Sequence, residues 1–147
     1  MNARNVLLWL HILVAFVTMG PLIFFDMAVP KLIRSRNAGA LRFIADKGAK
    51  LGPATMAIAL LGIALVLRNG DDPYSFKTRW IQVALAVYVV MVANGIGILT
   101  KALESAAGKL EAGESADAEA SRMQLFGTLN ILLFLAIVWL MVAKPWM

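Results

Sequence analysis

The side chains that could do chemistry in this chain are few: His11, Thr18, Asp26, Thr55, Gln82, Tyr88, Asn94, Thr128 and Asn130, each set inside or at the edge of an apolar run. In hydrocarbon a polar group is costly unless it is paired, so these positions point to any site the protein has. His11 is the single histidine. An imidazole at that depth can be an axial ligand to haem b, a copper or other metal ligand, a proton relay, or a structural hydrogen-bond donor. Gln82 falls at matching depth in the third apolar run, two residues after Trp80 as His11 follows Trp9. A cofactor there would use His11, with Gln82, Tyr88 or a methionine as second ligand, or one His11 from each copy of a dimer. A b-type haem spanning a bundle commonly takes an axial side chain on each face, and His11 supplies one. Methionines such as Met19 and Met91 offer thioethers, although in apolar helices they mostly pack.

A second set lies deeper. Asn94 and Asn130 match in depth and are positioned to share an interhelical hydrogen bond, which contributes about 0.6–2 kcal/mol in a membrane. Asp26 stands near the end of the first run, where it either pairs with Lys31 or Arg34 at the interface or accepts protons at the mouth of a path. Gly20-Pro21 sits between His11 and Asp26 and is expected to kink or loosen the helix, because proline lacks the N–H and crowds the carbonyl four residues back.

The elements that must position these groups are four stretches free of Asp, Glu, Lys and Arg: Asn5 to Phe25, Leu51 to Leu67, Trp80 to Thr100 and Met123 to Ala143. At about 1.5 Å per residue, roughly 17–25 apolar residues cross a hydrocarbon core of about 30 Å. The expected fold is all-α: a transmembrane four-helix up-and-down bundle with helices at about 5–29, 51–68, 79–101 and 123–143, one membrane domain over residues 1–147. The start, Met1-Asn2-Ala3-Arg4 and an apolar run, has the charged and apolar parts of a signal peptide. It lacks a small-x-small cleavage site and reaches spanning length, so it reads as a retained first helix.

Composition agrees. Of 147 residues, 61% are hydrophobic, and the mean hydropathy is +0.76, well above a soluble domain at roughly 45–50% apolar. The net charge of +5 reads as membrane-flanking Lys and Arg facing the lipid bilayer, and not as a nucleic-acid surface. With no cysteine there is no disulfide, thiolate nucleophile, iron-sulfur cluster or Cys-ligated zinc.

Basic residues also orient the bundle. Lys31, Arg34, Arg36, Arg42, Lys47, Lys50, Lys101, Lys109 and Arg122 fall on one side, against Arg4, Arg68, Lys77, Arg79 and Lys144 on the other. The richer side is expected to face the cytoplasm, placing both termini outside. Trp9, Trp80, Trp139 and Trp146 all fall at the outer ends under this topology, as an interfacial belt does.

The connections have their own patterns. Leu41, Ile44 and Leu51 recur at helical spacing, predicting a short interfacial helix capped by Asn37 and ended by Gly52-Pro53. An unbroken inward extension of the first two spans is the alternative. Arg68-Asn-Gly-Asp-Asp-Pro-Tyr-Ser reads as a solvated outer turn. The Ala-, Glu- and Lys-rich segment Lys101 to Arg122 is expected to extend helices three and four inward, broken at Gly108 and Gly113, with Ser115 capping the return ahead of Asp117 and Glu119.

The sequence Leu10-His11-Ile12-Leu13-Val14-Ala15, then Gly20-Pro21, then Pro30 with basic residues after it, and the closing Leu140-Met141-Val142-Ala143-Lys144-Pro145 resemble a family of small bacterial integral membrane proteins, domain of unknown function 2269. The resemblance covers nearly the whole chain and implies a multi-pass protein of the bacterial plasma membrane. Such families look distantly similar to copper-resistance membrane domains and small haem-carrying four-helix proteins. It carries His11, Gly20 and Pro21 over as positions of interest only.

Three functions follow. The first is an accessory or assembly subunit, or a small homo-oligomer in a larger membrane complex, motivated by the lack of a nucleophile-base pair, phosphate loop or ligand cluster. The second is a haem- or copper-binding redox module using His11. The third is an oligomeric transporter or channel lined by Asp26, Asn94 and Asn130. Whether the protein is an enzyme is left open by these residues.

Overall fold

Four apolar runs become four long helices in the computed structural model, which describes residues 2–69 and 74–146; among these there is no strand. α1 (Ala3–Arg34) and α2 (Ala38–Asn69) form a hairpin around residues 35–37. α3 (Arg79–Asn94) continues through a π-helical segment (Gly95–Leu99) into α4 (Thr100–Glu111), and these act as one rod of 33 residues. α5 (Asp117–Ala143) returns. All four rods are long and apolar enough to cross a membrane. Their outward faces agree: Phe16 is 78% and Val142 79% exposed, surfaces that only lipid would cover favourably.

Local chemistry sets the ends. Asn2 Oδ1 accepts from the Arg4 N–H at 3.3 Å to start α1, and Asn37 Oδ1 accepts from the Ala40 N–H at 3.0 Å to start α2, as expected of that residue. The turn between them places Arg36 at φ +54°. Beyond α4, Gly113 takes φ +79°, the left-handed position that favours glycine. Ser115 Oγ accepts from the Asp117 N–H at 3.4 Å, but Ala116 takes the N-cap position without a side-chain cap, so the expected cap at Ser115 is displaced by one residue. The expected outer turn falls largely on residues 70–73, outside the described residues.

Two expectations are corrected. No separate interfacial helix precedes the second span, because α2 runs unbroken through Gly52-Pro53. Proline there removes one intrahelical donor, a loss a buried or lipid-embedded helix absorbs since the remaining bonds have no water to compete with them. α1 is α-helix through both Pro21 and Pro30, so Gly20-Pro21 lies within one continuous helix. Gly108 lies inside α4, leaving Gly113 as the break.

Packing is uneven along the bundle axis. α1 is central, meeting α2 on one side and α5 on the other; α5 also meets α3, and α2 meets α4. At the hairpin end this produces a dense core of Val29, Ile33, Leu41, Leu103, Ala106 and Met123, in which the alanines of α4 permit close approach. Arg42 with Glu111 and Lys109 with Glu119, each 2.7 Å apart, tie its rim. A smaller core of Met19, Ile58, Met91 and Ile137 fills the middle. α2 packs on the α3–α4 rod through α4 and scarcely meets α3, so toward the end that holds both termini the bundle opens.

Candidate functional site

The opening between α2 and α3 is a cavity of about 610 Å³ with an overwhelmingly apolar lining. Tyr88, in its wall, donates from α3 to the Thr55 carbonyl of α2 at 2.9 Å and ties the two helices there. Such a volume, walled by apolar side chains with a few polar groups, is the usual form of a small-molecule site.

His11 stands in this wall, only 8% exposed. Its ring lies against the backbone of Ile58 and the bare Cα of Gly62, where a Cβ would come within 3.2 Å of Cε1 and 3.7 Å of Nδ1. Glycine at 62 therefore makes the space that the imidazole occupies. Nδ1 is closed off on the side of α2, without a well-aligned hydrogen bond, and the ring has the Ile58 backbone as a polar neighbour.

The terminal rim of the cavity carries charge. Tyr74 is flanked by Arg4, 5.3 Å from its ring centroid, and Lys144, 5.0 Å away, and Lys144 Nζ donates to the Tyr74 hydroxyl at 2.9 Å. That bond from Lys144, with the two positive charges, holds the phenol below its ordinary value. Trp80 meets Tyr74 edge to face at 6.4 Å. It is also a correction: Trp9, Trp139 and Trp146 are exposed as belt residues are, whereas Trp80 is 8% exposed with Nε1 buried and unpartnered. The first turn of α3 faces the cavity, so its indole lines the pocket and not the lipid.

A second, smaller site lies nearer the hairpin end. Asn94 Nδ2 donates to Asn130 Oδ1 at 3.2 Å and to the Phe126 carbonyl at 2.9 Å, so the expected α3–α5 bond forms. Asn130 Nδ2 in turn donates to Asp26 Oδ2 at 3.3 Å. Asp26 thus joins the asparagines instead of pairing with Lys31 or Arg34; Arg34 donates to Gln124 at 2.6 Å. The cause is the α1–α5 crossing. A Cβ at Gly127 would lie 3.2 Å from the Asp26 carbonyl oxygen, which lets α5 seat Asn130, one turn on, beside the carboxylate. Pro30 has no N–H to bond that same carbonyl, which leaves it open to the neighbouring helix.

The structure does not bring Gln82 to His11. Gln82 is exposed, donates from Nε2 to the Phe76 carbonyl at 3.0 Å, and takes no part in the cavity wall. The hydroxyls of Thr18, Thr55 and Thr128 bond carbonyls of their own helices, which accounts for them without a ligand. Arg4, Tyr74 and Lys144 escaped the sequence reading, being far apart in the chain; so did the pairing of His11 with Gly62, although Gly62 stands in a small-residue stretch that signals close approach.

Among the described residues no three His, Cys, Asp or Glu side chains converge as a metal site would require. No curated protein and no solved structure matches this chain. A family model does match, over residues 5–145, and the chain belongs to that family, described as predicted integral membrane protein (DUF2269).

Proposed function

We propose that this protein is a membrane-embedded tetrapyrrole-binding module, with haem b as the reference ligand, whose pocket is the cavity between α2 and α3. The observation that carries this is the position of the chain's single histidine, His11, 8% exposed in the wall of an apolar cavity of about 610 Å³. A lone histidine is a poor site for a bare metal ion, but a macrocycle brings four of the metal's ligands itself and needs one from the protein. His11 would supply that ligand, and the apolar wall would cover the ring faces. Arg4 and Lys144 at the rim would meet its carboxylates, and Trp80 Nε1 is a further donor. When bound, an iron porphyrin supplies one-electron chemistry. The chain's own part is to hold, orient and shield it from water.

With both termini outside, as the basic residues argue, this pocket opens toward the outer face of a bacterial plasma membrane. The accessory-subunit reading has less support, since exposed apolar residues are spread over all four long helices, as lipid contact alone requires.

The test is optical. Purified protein, or protein titrated with haemin in mild detergent, is expected to show a Soret band that His11→Ala removes or shifts while the helical circular dichroism is kept. A colourless preparation that takes up no haemin, or a band indifferent to His11→Ala, overturns the proposal.

A further inference from the structure

A second cavity, about 130 Å³, runs from the middle of the bundle toward the hairpin end, between α1, α2 and the α3–α4 rod. Asp26, Asn130, Thr55 and Thr100 give it polar points in an otherwise apolar wall. Asp26 is its one titratable side chain: α2 contributes Ile44, Gly48, Gly52 and Thr55, the α3–α4 rod contributes no charged group, and α5 contributes Met123, Asn130 and Phe134. On its own helix the nearest charges are Lys31 and Arg34, and Arg34 is engaged with Gln124. Among the described residues no ion pair reaches Asp26.

Met19, Met91 and Phe134 line both this cavity and the larger one. The two spaces therefore adjoin, and those three apolar side chains stand where they meet. The smaller cavity alone holds a carboxylate, Asp26, with one neutral donor, Asn130, itself held by Asn94. At about 30 Å³ of liquid volume per molecule, the smaller cavity has room for several waters leading to it.

From this geometry we propose that Asp26, positioned by Asn130 and Asn94, is a proton-binding site reached through the hairpin-end cavity, with Met19, Met91 and Phe134 as the barrier that keeps that route closed to the opposite side. The step is simple: the Asp26 carboxylate takes one proton from cavity water and becomes the neutral acid, and returns it by the same route. An uncompensated carboxylate among apolar side chains is relieved by that exchange, and ionisable residues inside a membrane are where proton pathways run. The proposal does not depend on any ligand in the larger cavity.

Infrared difference spectra of the full chain in lipid vesicles, recorded as pH is stepped, read the site directly. A protonated-carboxyl C=O band is expected that titrates, disappears in Asp26→Asn, persists in Asp26→Glu and shifts in Asn130→Ala. A titrating band identical in the wild type and Asp26→Asn, or none at all, overturns the site. Should Asp26→Asn not fold, the Asn130→Ala spectrum decides, an unshifted band counting against the proposal. The barrier is tested with a pH dye inside the vesicles. Phe134→Ala is expected to raise proton leak about tenfold, and adding Asp26→Asn to return it to the wild-type level. A leak through Phe134→Ala that ignores Asp26→Asn overturns the route.

Discussion

Gly127 of α5 lies against Asp26 of α1 so closely that a Cβ would stand 3.2 Å from the Asp26 carbonyl oxygen and 3.4 Å from its Cβ. Gly127→Ala is expected to force the helices apart at this point and destabilise the bundle by about 1–3 kcal/mol, as overpacking does. Gly20→Ala is the control. Nothing lies within 4 Å of a Cβ there, and the higher helix propensity of alanine should leave stability equal or slightly greater. Denaturation of the two variants in mixed micelles, followed by circular dichroism, checks both signs.

Gly62 has the matching role at the other crossing. A methyl group at 62 would press on His11 Cε1 from 3.2 Å, so Gly62→Ala is expected to turn or displace the imidazole. Haemin binding should weaken at least tenfold, about 1.4 kcal/mol, with helical content unchanged. Absorbance titration compared with His11→Ala measures it.

The basic rim predicts a preference for carboxylates. Replacing Arg4 or Lys144 by glutamine is expected to weaken haemin binding about tenfold each, within the range of a charge-assisted hydrogen bond. The dimethyl ester of haemin, with no negative charge to lose, should bind the wild type and both variants alike.

Stability should concentrate at the hairpin end. Leu41 is fully buried beneath α4, and Leu41→Ala is expected to cost about 2–5 kcal/mol. Phe16 faces lipid, and Phe16→Leu should change stability by no more than about 0.5 kcal/mol. Thermal unfolding in one detergent separates them.

The Lys109–Glu119 pair gives the bundle a pH dependence outside the spans. Lys109, at 2.7 Å, and Ser105, donating at 3.1 Å, hold the Glu119 carboxyl below the usual glutamate range. A carboxyl held low in the folded state stabilises it above the ordinary glutamate value, and that contribution fades as pH falls toward the folded value. Lys109 is 39% exposed, so screening limits the effect to about 1 kcal/mol. Unfolding at pH 7 and pH 3 should show the difference between wild type and Glu119→Gln at pH 7 alone.

How far the site was legible depended on distance along the chain. Asn94 and Asn130 could be paired from depth alone, since helices of known rise place matching positions at matching heights. Depth says nothing about azimuth, and that is why Gln82, level with His11, faces away from it, and why Trp80 turned inward while the other three tryptophans stayed outside. Asp26 was placed at the correct height but given the wrong partner, because Lys31 and Arg34 are near in sequence whereas Asn130 arrives only through the crossing at Gly127.

Alone, the sequence determined location, fold class and helix count, because uncharged runs of about 20 residues have no other stable solvent and no other way to satisfy their backbone there. Which faces of those helices meet was decided by tertiary structure. Two glycines, Gly62 and Gly127, bring α2 and α5 close enough to α1 to seat His11 and Asp26, and the parting of α2 from α3 leaves a cavity beside His11. Those outcomes rest on side-chain volumes summed across three helices at once, information that no single stretch of the chain contains.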